Sequence, residues 1–117
     1  MNEAVTIYHN PRCSKSRQTL ELLRERGIEP HVVLYLEQPP NAQTLRSALN
    51  RLGMTPRQLM RRREAPYRDL NLDDPALTDD ALIAAMVEHP VLIERPIVVT
   101  DRGVALGRPP ENVLDVL

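Results

Sequence analysis

Apolar positions along the chain fall into short runs that alternate with stretches of helical spacing. Val5-Thr6-Ile7-Tyr8 is β-branched and aromatic and ends at His9-Asn10-Pro11, which reads as a strand running into a loop. Ser14 to Arg26 is polar with Leu20, Leu22 and Leu23 on one side, and Gly27 stops it as the residue just past a helix. Val32 to Leu36 is a second apolar run, bounded by Pro30 and by Pro39-Pro40. Strand, helix and strand within about 35 residues make a βαβ unit with parallel strands and a right-handed crossover.

Helical patterning follows. Asn41 is placed to cap a helix with Leu45, Ala48, Leu49 and Leu52 at i, i+3, i+4 and i+7, closed by Gly53. Thr55-Pro56 restarts a short helix that carries Leu59 and Met60 and ends at Arg61 to Arg63. Tyr67 to Pro75 reads as irregular, and Thr78-Asp79-Asp80 caps a helix burying Leu82, Ile83, Met86 and Val87, with Pro90 beyond it. Ile97 to Thr100 and Val104 to Gly107, joined by Asp101-Arg102-Gly103, read as a β-hairpin. Pro109-Pro110 then opens a last helix with Val113, Leu114 and Leu117. The order predicts an α/β, thioredoxin-like fold in a single domain over 1–117. Its four-stranded mixed sheet joins the parallel βαβ unit to a C-terminal hairpin, with a helical insert between them.

Composition narrows the picture. At 117 residues the length suits one domain. Fifteen basic and 16 acidic residues leave a net charge of −1, which argues against a broad nucleic-acid surface. Phe and Trp are absent, so the core is aliphatic and base-stacking platforms are missing. No apolar run reaches the ~18 residues of a membrane span, and Met1 to Tyr8 carries no secretory pattern. The single Cys13 cannot form an internal disulfide and points to a reducing, cytoplasmic setting.

Cys13 is the centre of the chemistry. It lies in a polar loop at a helix N-terminus, beside Arg12, Lys15 and Arg17, where the helix dipole and the cations favour thiolate. Ser16 stands where a dithiol oxidoreductase carries its resolving cysteine, so a covalent intermediate on Cys13 needs an outside thiol such as glutathione. Of the 15 basic residues 14 are arginine, whose planar fork suits oxyanions. Arg95 precedes Pro96, a candidate cis-proline, at the start of the third strand. In a thioredoxin-like sheet that places Arg95 within reach of Cys13. Arg108 precedes Pro109 where the hairpin ends. His9 could tune the thiolate or accept its proton, whereas His31 and His89 read as solvent-facing. The five aspartates between Asp69 and Asp80 read as caps and loop residues. No His, Cys and Asp cluster has metal-ligand spacing.

Four ordered motifs carry a resemblance: Ile7 to Cys13, Leu34-Tyr35-Leu36-Glu37, Glu94 to Val99, and Gly107-Arg108-Pro109. Together they resemble the glutathione- and glutaredoxin-coupled arsenate reductase (ArsC) family from about residue 4 onward. The resemblance implies a thioredoxin-like fold and reduction of arsenate to arsenite, with glutathione as co-substrate, glutaredoxin as partner and no bound cofactor. By position it implies that Cys13 is the nucleophile and that His9 assists the thiolate. Arg61, Arg95 and Arg108 match the three arginines that hold the oxyanion. Ser14-Lys15 stands where the best-known reductases carry Gly-Thr, a Cys-Ser-Lys-Ser variant of the motif. Two other readings stay open: a monothiol glutathione-dependent oxidoreductase with another substrate, and a regulator of the same superfamily that binds RNA polymerase. A monomer that binds neither nucleic acid nor membrane is the expected state.

Overall fold

The computed structural model describes residues 5–117, so Met1 to Ala4, part of the segment read above as lacking a leader, lie outside the described residues. The chain divides into two compact units, Met1–Gln38 with Arg95–Leu117, and Pro39–Glu94.

The first unit holds the sheet. Strand β1 (Thr6–His9), helix α1 (Ser14–Glu25) and strand β2 (His31–Leu34) form the expected βαβ unit. Strands β3 (Ile97–Val99) and β4 (Val104–Leu106) form the hairpin. The strand order is β2-β1-β3-β4, with β1 and β2 parallel and the other pairs antiparallel. This is the thioredoxin-like arrangement that the patterning predicts. Alternation along β1 sends Val5, Ile7 and His9 to one face, all buried. Helix α1 meets that face with Ser16, Thr19 and Leu23. Val5, Ile7 and Leu23 join Val98, Ala105, Val113 and Val116 in one aliphatic core, with Leu20 and Leu22 partly buried against it. The α1 face therefore turns polar toward its N-terminus, where the leucine pattern alone showed no buried position.

Two elements of this unit differ from their patterning. Strand β2 stops at Leu34, because its carbonyl accepts the N–H groups of both Glu37 and Gln38 at 2.9 Å and turns the chain. Tyr35 is buried in that turn, and Leu36 is exposed. The final helix, Pro110–Val116, is 3-10 and not α-helical. Pro110, Val113 and Val116 are its buried residues, a spacing of three that fits the 3-10 period. Its terminal carbonyls are satisfied from the hairpin, Val116 O by Thr100 Oγ1 at 2.5 Å and Leu117 O by Arg102 Nη1 at 2.9 Å. Both Arg95-Pro96 and Arg108-Pro109 are cis.

The second unit is the helical insert. Helix α2 (Ala42–Leu52) starts where Asn41 Oδ1 accepts the Thr44 N–H at 2.8 Å and ends at Gly53, left-handed with φ 68°. Helix α3 (Pro56–Leu59) opens with a capping box between Thr55 and Gln58. Helix α4 (Ala65–Asp69) falls partly in the segment read as irregular. Pro66 sits in its first turn, where a missing N–H costs no helical bond. Helix α5 (Asp79–Glu88) is capped by Thr78 and buries Leu82, Ile83 and Met86, and Pro90–Leu92 adds a 3-10 turn. The arginine run does not end α3, for Met60 already pairs as an isolated bridge with Ile93.

Candidate active site

The loop from Asn10 to Cys13 is fastened at nearly every residue. Asn10 is buried; its N–H donates to Ser16 Oγ at 3.0 Å, and its Oδ1 accepts the Arg12 N–H at 3.0 Å, an Asx-type turn. The Cys13 N–H donates to Asn10 O, and Cys13 O accepts the Arg17 N–H, each at 3.0 Å. Cys13 is therefore the N-cap of α1, half-buried and a free thiol. Arg17 Nη1 reaches back to Pro11 O at 2.9 Å, which ties the exposed outer side of the loop to the helix.

Burial alone would push the Cys13 thiol up. Its pKa is nevertheless lowered, because the Ser16 N–H, the hydrogen bond and charge of Arg95, and the Lys15 N–H all favour the thiolate. Arg108 Nη1 lies 3.7 Å from Cys13 Sγ and also donates to Arg95 O at 3.2 Å. The Arg95 side chain brings Nε and Nη1 to the site as buried donors with no partner among the described residues. Such donors cost about 1–3 kcal/mol each until something accepts from them, and an oxyanion is the acceptor a guanidinium fork fits best.

His9 is buried and its Nδ1 shares a 2.6 Å hydrogen bond with Ser16 Oγ. Burial, then the charges of Arg24 and Arg17, lower its pKa and keep the ring neutral.

Gly107 lets the hairpin approach α1. A Cβ there would lie 2.5 Å from Thr19 Oγ1 and 2.8 Å from Pro96 Cγ. Thr19, fully buried, donates to Lys15 O at 2.8 Å. This tight corner immediately precedes Arg108.

The structure thus brings Cys13, Arg95 and Arg108 together within the first unit, with His9 one residue pair away through Ser16. Arg61 belongs to the second unit. There its Nη1 donates to Glu94 Oε1 at 2.6 Å and its Nε to Glu64 Oε2 at 3.3 Å. Desolvation is outweighed by these carboxylates, Glu94 foremost, which hold its pKa above the usual arginine value. Arg62, Arg63 and His31 are exposed and His89 is half-buried. Asn10, Ser16, Thr19 and Gly107 were not singled out as site-building residues from the sequence. The Asn-Pro dipeptide, and a serine three positions past the N-cap, are the local signals that point to the first two. Among the described residues no His, Cys, Asp and Glu group is gathered for a metal ion, and no helix is long and apolar enough to cross a membrane.

A lone cysteine at the N-terminus of the first helix of a thioredoxin-like sheet, beside two arginines, defines a class of thiol-bearing α/β proteins. The ArsC family model matches residues 8–116. The uncharacterized protein YfgD of Escherichia coli K12 is 58% identical, over 100% of this chain and 99% of that protein. An arsenate reductase of Escherichia coli is 51% identical over 97% of this chain and 80% of its own length. The structure of an arsenate reductase from Vibrio cholerae superposes with a TM-score of 0.96 at 52% identity, covering 100% of both chains. This chain belongs to the ArsC family.

Proposed function

We propose that the chain is an arsenate reductase, an oxidoreductase in which residues 1–117 act as one domain that converts arsenate to arsenite. The observation that carries this reading is the setting of Cys13: a sulfur whose thiolate is favoured by Ser16 N–H and Arg95, with Arg108 Nη1 3.7 Å away. The relatives named arsenate reductase, about half identical over nearly the whole chain, support the same substrate. Arsenate near neutral pH is largely a tetrahedral dianion. Arg95 and Arg108 offer it charge-assisted hydrogen bonds, and the N-terminus of α1 adds N–H donors. Arg61 is the third arginine that the family resemblance assigns to the anion, and Glu64 and Glu94 hold its fork in one orientation.

In this account the Cys13 thiolate attacks arsenic, forming an S–As bond while one arsenate oxygen takes up protons and leaves as water. The arginines stabilise charge on the departing oxygen. Glutathione then adds its sulfur to the same arsenic, and a second water departs. Glutaredoxin attacks the glutathione sulfur, and the electron pair of the S–As bond passes to arsenic, which becomes As(III). Hydrolysis of the remaining Cys13–arsenic bond releases arsenite and regenerates the thiol. An exposed loop and no second cysteine suit a monomer that receives protein and tripeptide thiols in the reducing cytoplasm. His9 is the residue we assign to support of the thiolate.

The test is arsenite formation by the purified protein with arsenate, glutathione and glutaredoxin, each omitted in turn. Arsenite that requires all three supports the reading. No arsenite, with rapid turnover of a glutathionylated peptide, would overturn arsenate as the substrate in favour of mixed-disulfide chemistry.

A further inference from the structure

We propose that Thr19 and Gly107 together set the distance between Arg108 and the Cys13 sulfur, and so are positioning residues for the thiolate that act through Arg108. The path begins in the helix that Cys13 opens. Thr19 follows Cys13 by six positions, about 9 Å along the axis of α1. It is fully buried, and its Oγ1 donates to Lys15 O at 2.8 Å, which fixes the side chain against the first turn. That side chain meets the hairpin just past β4, where Thr19 Oγ1 lies 3.5 Å from Gly107 O. A Cβ on Gly107 would lie 2.5 Å from Thr19 Oγ1, 3.2 Å from Thr19 Cγ2 and 2.8 Å from Pro96 Cγ, so no larger residue fits. Gly107, unlike Gly27 and Gly53, has no left-handed backbone. Its missing side chain therefore serves close approach to α1 and not a turn.

The chain beyond this contact leaves Arg108 little slack. The Gly107 N–H donates to Pro96 O and the Arg108 N–H to Leu106 O, each at 2.9 Å, and Arg108 O accepts Asn112 Nδ2 at 3.1 Å. The guanidinium is held too, for Nη1 donates to Arg95 O at 3.2 Å and reaches Cys13 Sγ at 3.7 Å. Such a contact is long even for sulfur and weakens steeply with distance. Thr19 is thus a gauge: one helix carries both the sulfur and the surface that stops the approach of Arg108. A methyl added at position 107 moves the hairpin exit away from α1, because Thr19 is fixed by its bond to Lys15 O and Pro96 is a buried ring. Arg108 moves with it and the contact with sulfur lengthens.

This inference rests on Cys13 reacting as a thiolate beside Arg108, and its test needs no arsenate. The rate of Cys13 alkylation by iodoacetamide is followed against pH in the full chain. The variants are Arg108→Ala, Gly107→Ala, Gly107→Ala/Arg108→Ala and Thr19→Ala/Gly107→Ala, beside wild type. Arg108→Ala is expected to raise the midpoint by about half a pH unit or more, about a threefold loss of thiolate well below it. Gly107→Ala, with Arg108 intact, raises it by at least half as much. Adding Gly107→Ala to Arg108→Ala changes nothing further, because the corner acts only through that arginine. Thr19→Ala/Gly107→Ala returns at least halfway to wild type, whereas a general loosening would worsen with a second buried substitution. A wild-type midpoint in Arg108→Ala or Gly107→Ala, additive shifts in Gly107→Ala/Arg108→Ala, or no recovery with Thr19→Ala would each overturn the proposal. If Gly107→Ala does not fold, Thr19→Val takes its place, since it sets a bulkier methyl where Oγ1 faces Gly107 O. A raised midpoint that adds nothing to Arg108→Ala then supports the proposal, and a wild-type midpoint overturns it. The expected series in a protein that forms no arsenite would remove the substrate reading and leave this one standing.

Discussion

Replacing Gly107 with alanine probes the corner that aims Arg108. The added Cβ would sit 2.5 Å from Thr19 Oγ1, 2.8 Å from Pro96 Cγ and 3.2 Å from Thr19 Cγ2. Neither neighbour can swing away: Thr19 is fully buried and bonded to Lys15 O, and Pro96 is a buried ring. The glycine cannot easily retreat, since its N–H donates to Pro96 O at 2.9 Å. Overpacking of this kind costs about 1–3 kcal/mol. For a chain of this length the thermal midpoint falls by about 4 °C per kcal/mol, so Gly107→Ala should lower it by about 4–12 °C. Thr19→Ala removes two of the three close contacts. In that background the same substitution should cost at least ~1 kcal/mol less, a coupling that a thermal-melt double-mutant cycle reads directly. A midpoint within about 2 °C of wild type, or strictly additive costs, would refute the reasoning.

Other perturbations follow from the same geometry. Arg95→Ala removes both a hydrogen bond to the Cys13 sulfur and its charge, so the alkylation midpoint of Cys13 should rise. Losing a charge-assisted anion contact worth ~1.5–3 kcal/mol should also raise the arsenate KM by about tenfold or more. His9 has a folded-state pKa depressed below 6.5, so the stability it contributes is present above that pH and is lost as pH falls toward the folded value. His9→Asn should accordingly flatten the fall in denaturation midpoint below about pH 6.5, measured beside wild type. Thr55→Ala breaks the capping box of α3 and should lower stability by about 1 kcal/mol, read by denaturant unfolding.

Much of the fold was legible because its boundaries are encoded within a few residues. Asn41, Thr55 and Thr78 cap their helices as their identities predict, and Gly53 adopts the left-handed conformation its position asks for. The alternating runs placed all four strands and the hairpin, and Cys13 was located at a helix start by its polar neighbours. What escaped the sequence depends on partners far along the chain. Ser16 and Thr19 look like solvent-facing helix residues until His9, Asn10 and Gly107 close over them. Arg61 reads as one of three equivalent arginines until Glu94, 33 positions on, separates it from the exposed Arg62 and Arg63. The last helix falls where Pro109-Pro110 predicts and buries Val113, but it is 3-10 and not α-helical: its buried set is Pro110, Val113 and Val116, while Leu114 and Leu117 stay only partly buried.

The central claim, that the Cys13 thiolate turns over arsenate, is met most directly by one coupled assay. NADPH consumption is followed with arsenate, glutathione, glutaredoxin and glutathione reductase, for wild type and for Cys13→Ser at equal concentration. The account predicts arsenate-dependent consumption by wild type and none above background by Cys13→Ser. Undiminished turnover in Cys13→Ser would contradict it.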